Sequence, residues 1–128
     1  MDNKKSQGEK NREWGKEAEE IAVNYLTSEG YTIRETNWRF GNHIEIDIIA
    51  QEGNTIIFVE VKARKGDFIS PEETITPAKM KKIIKGGNIY LQQLPHLFSY
   101  RLDVITILGT PDHYTLNHLP DAFLPPLT

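Results

Sequence analysis

At 128 residues the chain has the length of one domain, with room for a modest core. It carries no cysteine, which excludes disulfides and thiolate metal sites, and no apolar run approaches a membrane span, so a cytoplasmic protein without a membrane partner is expected. Lys and Arg number 15 against 18 Asp and Glu, a formal charge of −3, which argues against nucleic-acid binding through bulk charge and confines any such contact to a local patch.

Met1 to Asn11 is polar and lacks apolar period, and is expected to be a mobile arm. From Arg12 to Ser28, Trp14, Ala18, Ile21, Ala22, Tyr25 and Leu26 recur at helical spacing, and Gly30 stands as a stop. Glu19 lies on that stripe, seven residues before Leu26 and beside Gly15, Ala22 and Val23. It either reaches outward to a surface pair or serves a site. Tyr31 to Arg39 alternates as a first strand and runs into a turn at Phe40-Gly41-Asn42. Trp38 on it could stack on a base, though packing is the commoner use of a Trp near a strand end.

The most informative stretch is the hairpin HIEIDIIAQEGNTIIFVEVKAR, from His43 to Arg64. Two Ile- and Val-rich runs, His43–Gln51 and Thr55–Arg64, flank a turn at Glu52-Gly53-Asn54. Period-2 alternation puts His43, Glu45 and Asp47 on one face and Ile44, Ile46 and Ile48 on the other. On the second run Phe58, Glu60, Lys62 and Arg64 share a face. A polar face in water is the ordinary reading of such alternation. Against it stand the inner ends, Ile48-Ile49-Ala50 and Ile56-Ile57-Phe58-Val59, which read as covered on both faces. Carboxylates beside such a region are partly desolvated and repel one another, a conflict that a hard dication resolves.

Lys65 to Thr76 is expected as a loop close to that strand end, ordering on substrate. Thr76-Pro77 then opens a second helix, with Met80, Ile83, Ile84, Gly87 and Leu91 facing inward and Lys79, Lys81, Lys82 and Lys85 outward. Four lysines on one helix are usually solvation; here they follow the candidate strand. Gly86-Gly87 either weakens this helix or lets it pack closely on a strand. After Pro95, Arg101 to Leu108 reads as a fourth strand, Gly109 to Asp112 as a turn and Tyr114 to Leu119 as a short edge strand. Asp103 suits an ion pair with Arg101 or a lysine better than a supporting place in the site. The division expected is an arm (1–11), a domain (12–119) and an extended tail (120–128).

Asp47 followed by Glu60-Val61-Lys62 resembles the PD-(D/E)XK nuclease pattern, an Asp on one strand and Glu-x-Lys on the next. More closely, EIDIIA at Glu45–Ala50 with FVEVKAR at Phe58–Arg64 resembles the YraN-like family, small bacterial proteins similar by pattern to archaeal Holliday-junction resolvases. The resemblance spans about Gly15 to Ile107. One departure is visible: the family usually has Gly before Glu-Ile-Asp, and this chain has Ile44.

The resemblance implies an α/β, restriction-endonuclease-like core of helix, three-strand meander, helix and strand, with a mixed sheet flanked by helices. It implies Mg²⁺ or Mn²⁺ held by Asp47, Glu60 and the Val61 carbonyl, with Glu19 on the first helix as a further carboxylate. Lys62 would orient the attacking water, and Glu45 would act as a base behind Asp47 or hold a second ion. The bland alternative for Lys62 is an ion pair with Glu60 and Asp47. Arg64, Lys65, Lys79 and Lys82 are expected to contact nucleic acid, DNA in first place, with a homodimer possible. The function expected is a metal-dependent nuclease, and its alternative a binding module with a vestigial site.

Overall fold

A computed structural model of the protein describes residues 5–122. Eight elements follow in order: α1 (Gln7–Ser28), β1 (Thr32–Phe40), β2 (Ile44–Glu52), β3 (Thr55–Arg64), α2 (Pro71–Thr74), α3 (Pro77–Gln92), β4 (Ser99–Thr110) and β5 (His113–Leu119). The strands form one mixed sheet in sequence order. β1, β2 and β3 are antiparallel neighbours, and α3 carries the chain across to β4, which runs parallel to β3. β5 returns antiparallel to β4.

Each face of the sheet carries one long helix. Trp14, Ala18, Ala22 and Leu26 of α1 pack on Ile48, Ala50, Ile57, Val59, Ile105 and Ile107. Ile83 and Tyr90 of α3 pack on Ile46, Ile49, Ile56, Phe58, Leu102 and Val104 on the opposite face. Both faces of the central strands are covered, which explains their continuous apolar runs. The expected architecture is the one observed.

Local chemistry sets the element ends. Ser6 caps α1, its hydroxyl accepting from the Glu9 N–H at 3.1 Å. The helix therefore starts before Arg12, and residues 7–11 of the expected arm are its first turns; residues 1–4 lie outside the described residues. The helix closes with a Schellman pair, Tyr31 N–H to Leu26 O and Gly30 N–H to Thr27 O, which needs the positive φ of 96° at Gly30. The stretch expected as a bare loop from Lys65 to Thr76 contains the single turn α2, capped by Ser70. Thr76 caps α3 as expected, accepting from the Lys79 N–H at 3.2 Å. Of the expected tail, residues 123–128 lie outside the described residues, while the Ala122 N–H donates to the Leu102 carbonyl at 2.7 Å.

The glycine pair of α3 is a packing device. A Cβ on Gly86 would stand 2.6 Å from Ile44 Cγ2, and one on Gly87 would stand 2.8 Å from the Phe58 ring. The helix backbone thus lies directly on β2 and β3. Ile44 fills the space above Gly86. Trp38 packs on the same side, edge-on to Tyr90 with ring centroids 5.6 Å apart.

Candidate functional site

The regular alternation expected for β2 breaks at Asp47. Ile46 belongs to the α3 side and Ile48 to the α1 side, so the two do not share a face as strict period 2 would require. Opposite the break, the β1–β2 register passes from Thr36↔Ile48 to Trp38↔Ile46 across Asn37, whose φ of 51° is left-handed. The β2–β3 register ends at Ile48↔Val59. One step further it would set Asp47 opposite Glu60, but the strands have parted there. In place of a ladder bond, the Val61 N–H donates to Asp47 Oδ2 at 2.9 Å. Asp47 is thereby fixed between two splayed strands at one end of the sheet.

Glu60, the next residue of β3, is only 4% exposed, and its Oε2 is buried without a hydrogen-bond partner. The nearest cation is Lys79 of α3, with Nζ 3.6 Å from that oxygen, a charge contact longer than a hydrogen bond. Burial first, then hydrogen bonding to Asp47 and its charge, push the Glu60 carboxyl up to about 8, against the opposing pull of Lys79 and Lys62. Asp47 and Glu60 are therefore adjacent carboxyl groups that disfavour simultaneous ionisation.

Glu19 of α1 lies across a crevice of about 430 Å³ that Asp47, Asn37 and Lys16 also line. Burial and then the charge of Asp47 raise it to about 6, while the Asn37 amide favours its ionised form. Glu45 is turned elsewhere. Its Oε1 stands 3.6 Å from Arg39 of β1, in a half-exposed pair, although its charge still reaches Glu19. Lys62, Arg64 and Lys65 line a crevice between the end of β3 and the first turns of α1. Lys79 and Lys82 line another, between the β1–β2 turn and α3.

Asp47, Glu60, the Val61 main chain and Lys79 are thus brought together, with Lys62 close enough for its charge to act on Glu60 and Glu19 close enough to feel Asp47. Among the described residues, no group of three or more His, Cys, Asp or Glu side chains is placed to hold a metal ion. The pair nevertheless suits a hard dication: a buried, unpartnered carboxylate oxygen next to a second carboxylate is a donor set of the kind Mg²⁺ takes, with water and carbonyl completing its shell.

The sequence reading missed Asn37 and Arg39, which stand next to the carboxylates from β1. A left-handed Asn facing the hairpin has no signature in alternation alone. It also missed two partners of Asp103, His118 and the Asp121 N–H. That carboxylate is fully buried, and it accepts from Arg101 Nε at 2.9 Å, from the Asp121 N–H at 2.9 Å and from Arg101 NH2 at 3.2 Å. His118 Nε2 lies 2.7 Å from it, and His118 Nδ1 is 2.9 Å from the Tyr25 hydroxyl. The ion pair with Arg101 is the one expected.

Comparison with known proteins gives three findings. The model of the family described as Uncharacterised protein family UPF0102 matches residues 18–107. A UPF0102 protein of Phocaeicola vulgatus is 40% identical over 116 residues, covering 90% of this chain and 95% of that protein, and one of Chlorobium chlorochromatii is 41% identical over 118 residues, covering 87% and 91%. Among solved structures, Hjc, a Holliday junction resolvase of Archaeoglobus fulgidus, aligns with a TM-score of 0.53 at 16% identity, over 88% of this chain and 82% of that one. At such identity the likeness is one of fold.

Proposed function

This chain belongs to the UPF0102 family, and on that premise we propose that it is a divalent-metal-dependent nuclease acting on nucleic acid, DNA in first place. The observation that carries the reading is the pair Asp47 and Glu60 at the splayed strand ends, with one buried oxygen of Glu60 left without a partner. A purely structural carboxylate in that position would be expected to have its hydrogen bonds made. The fold shared with a resolvase adds support by analogy. A chain without cysteine fits work in the cytoplasm.

In this reading Asp47, Glu60 and the Val61 carbonyl would hold Mg²⁺ or Mn²⁺, with Glu19 reaching it directly or through water. Once bound, the ion supplies Lewis-acid stabilisation of the phosphoryl oxygens and a more acidic water. The Val61 N–H holds Asp47 in place through one of its oxygens. Lys62 has three donors and no acceptor, so it orients water and meets developing negative charge without becoming a ligand. Lys79, 3.6 Å from Glu60 Oε2, favours the ionised form of Glu60 that metal binding requires.

The test is single-turnover cleavage of duplex, flapped and four-way-junction DNA and of structured RNA with Mg²⁺ or Mn²⁺, beside calorimetry of metal binding to the wild type and to Asp47→Ala. Cleavage and metal binding that both vanish in Asp47→Ala are the expected result. If the wild type binds nucleic acid and cuts none of these substrates, the alternative of a silent binding module takes its place; the acidic net charge is what favours that alternative.

A further inference from the structure

The acidic net charge leaves open how such a site would hold a polyanion, and the distribution of cations answers it. Two crevices adjoin the carboxylate pair, one from each side of the sheet end. The first, about 430 Å³, lies between the β1–β2 turn and α3 and is lined by Arg39, Asn42, His43, Lys79 and Lys82, with Glu45 as its one acidic group. The second, about 460 Å³, lies between the end of β3 and the start of α1 and presents Lys62, Arg64 and Lys65 with no acidic lining residue. The neighbouring crevice along α1 is mixed in charge, with Glu9, Glu13 and Glu19 beside Arg12, Lys16 and Arg39.

The crevices are tied to the centre on opposite sides. Lys79 belongs to the first and contacts Glu60, while Arg39 of the same crevice contacts Glu45, each at 3.6 Å. Val61 and Lys62 belong to the second, and the Val61 N–H holds Asp47. Arg39 and Lys82 in one crevice and Arg64 and Lys65 in the other thus lie to either side of the strand ends that carry Asp47 and Glu60. Phosphates occur along a nucleic-acid strand at regular intervals, and point-charge contacts to them position the strand without reading its sequence.

We propose that these crevices are the two halves of a phosphate-backbone grip, with Arg39 and His43 as members of its first half and the scissile phosphate held between the halves at Asp47 and Glu60. The grip rests on the nuclease reading for what happens at its centre, but not for binding. Because its contacts are to phosphate, the grip predicts little base preference.

Fluorescence anisotropy of a labelled DNA duplex and a labelled four-way junction, without divalent metal and over a series of salt concentrations, tests it. Arg39→Ala with Lys82→Ala should flatten the plot of log affinity against log salt by about two units, one for each phosphate that is no longer neutralised. Arg64→Ala with Lys65→Ala should do the same, and all four changes together should add. Arg39→Lys should restore the slope, since only charge is asked of it. These side chains line open crevices, and melting curves check that each variant folds. A wild-type slope in Arg39→Ala with Lys82→Ala overturns the first half, whatever cleavage shows. Flattened slopes as expected in a protein that cuts nothing uphold the grip and overturn the nuclease reading alone. Absence of binding by the wild type at low salt overturns the grip.

Discussion

Two buried carboxylates lie on the neighbouring parallel strands β3 and β4, facing opposite sides of the sheet, and they are treated in opposite ways. Asp103, paired in register with Val59, has both oxygens occupied, by Arg101, His118 and the Asp121 N–H. Glu60, the next residue along β3, has an oxygen with no hydrogen bond and a lysine held at a distance. Both are removed from water at similar cost. For Asp103 that cost is offset by its own neighbours, so the folded protein is complete without any other molecule. For Glu60 it is not, and the cost stays available to whatever binds there. A buried charge with all partners present argues for architecture; one with a partner missing argues for a site.

The largest test of this contrast removes each carboxylate in turn. Asp103→Ala leaves the Arg101 guanidinium, whose charged form Asp103 favours by hydrogen bonding, without its main partner. Urea unfolding should show a loss of about 3–5 kcal/mol, as when one member of a buried pair is deleted. Glu60→Gln should be neutral or stabilising in the metal-free protein, because it relieves burial of charge beside Asp47. Its pH dependence has a definite sign. A free Glu titrates near 4.5 and folded Glu60 near 8, so between those values the native chain keeps a proton that the unfolded chain has released. The Glu60 contribution to stability therefore falls as pH rises through that window. Glu60→Gln should flatten this slope, and Asp103→Ala should leave it. A wild-type slope in Glu60→Gln would place the unsatisfied charge elsewhere.

Next in size is the rate effect at the same strand. Lys62→Ala should slow single-turnover cleavage by about 10²–10³ while metal binding persists, the range for one positioned electrostatic group. A variant as fast as wild type would remove Lys62 from the chemistry. A smaller effect is the response to metal. Mg²⁺ or Mn²⁺ at a hundredfold excess over its Kd should stabilise the wild type by about 2.7 kcal/mol, read as a rise in melting temperature. Asp47→Ala should not respond. Equal response in Asp47→Asn with Glu60→Gln would put the ion at another place.

The contrast also shows which features a sequence reveals. The strands and the two long helices were legible because each depends on local periodicity or on a short motif, such as Thr76-Pro77. The early start of α1 was hidden, because Gln7 to Asn11 is polar on all sides and only the Ser6 cap marks it. The parting of β2 from β3 at Asp47 was hidden for a different reason. It arises between two strands, where left-handed Asn37 faces the hairpin, and neither strand alone shows it. The fit of Ile44 over Gly86 is likewise a property of two distant positions. Asp103 looked like half of an ion pair, and it is; His118 and Tyr25 enter only because β5 and α1 converge on it.

The smallest change probes the rim of that satisfied network. Tyr25 is partly buried and burial raises its hydroxyl pKa, so it stays protonated and available as a donor. A neutral His118 that donates from Nε2 to Asp103 has its Nδ1 free to accept from Tyr25. Tyr25→Phe deletes that one hydrogen bond and keeps the ring, which stacks edge-on to His118 with centroids 5.5 Å apart. The expected loss is about 1 kcal/mol in urea unfolding, the net worth of a typical internal hydrogen bond. Metal affinity should not change, because the network closes on itself and shares no hydrogen bond with Asp47 or Glu60. A change in metal affinity would join the two carboxylate regions into one system and end the distinction between them.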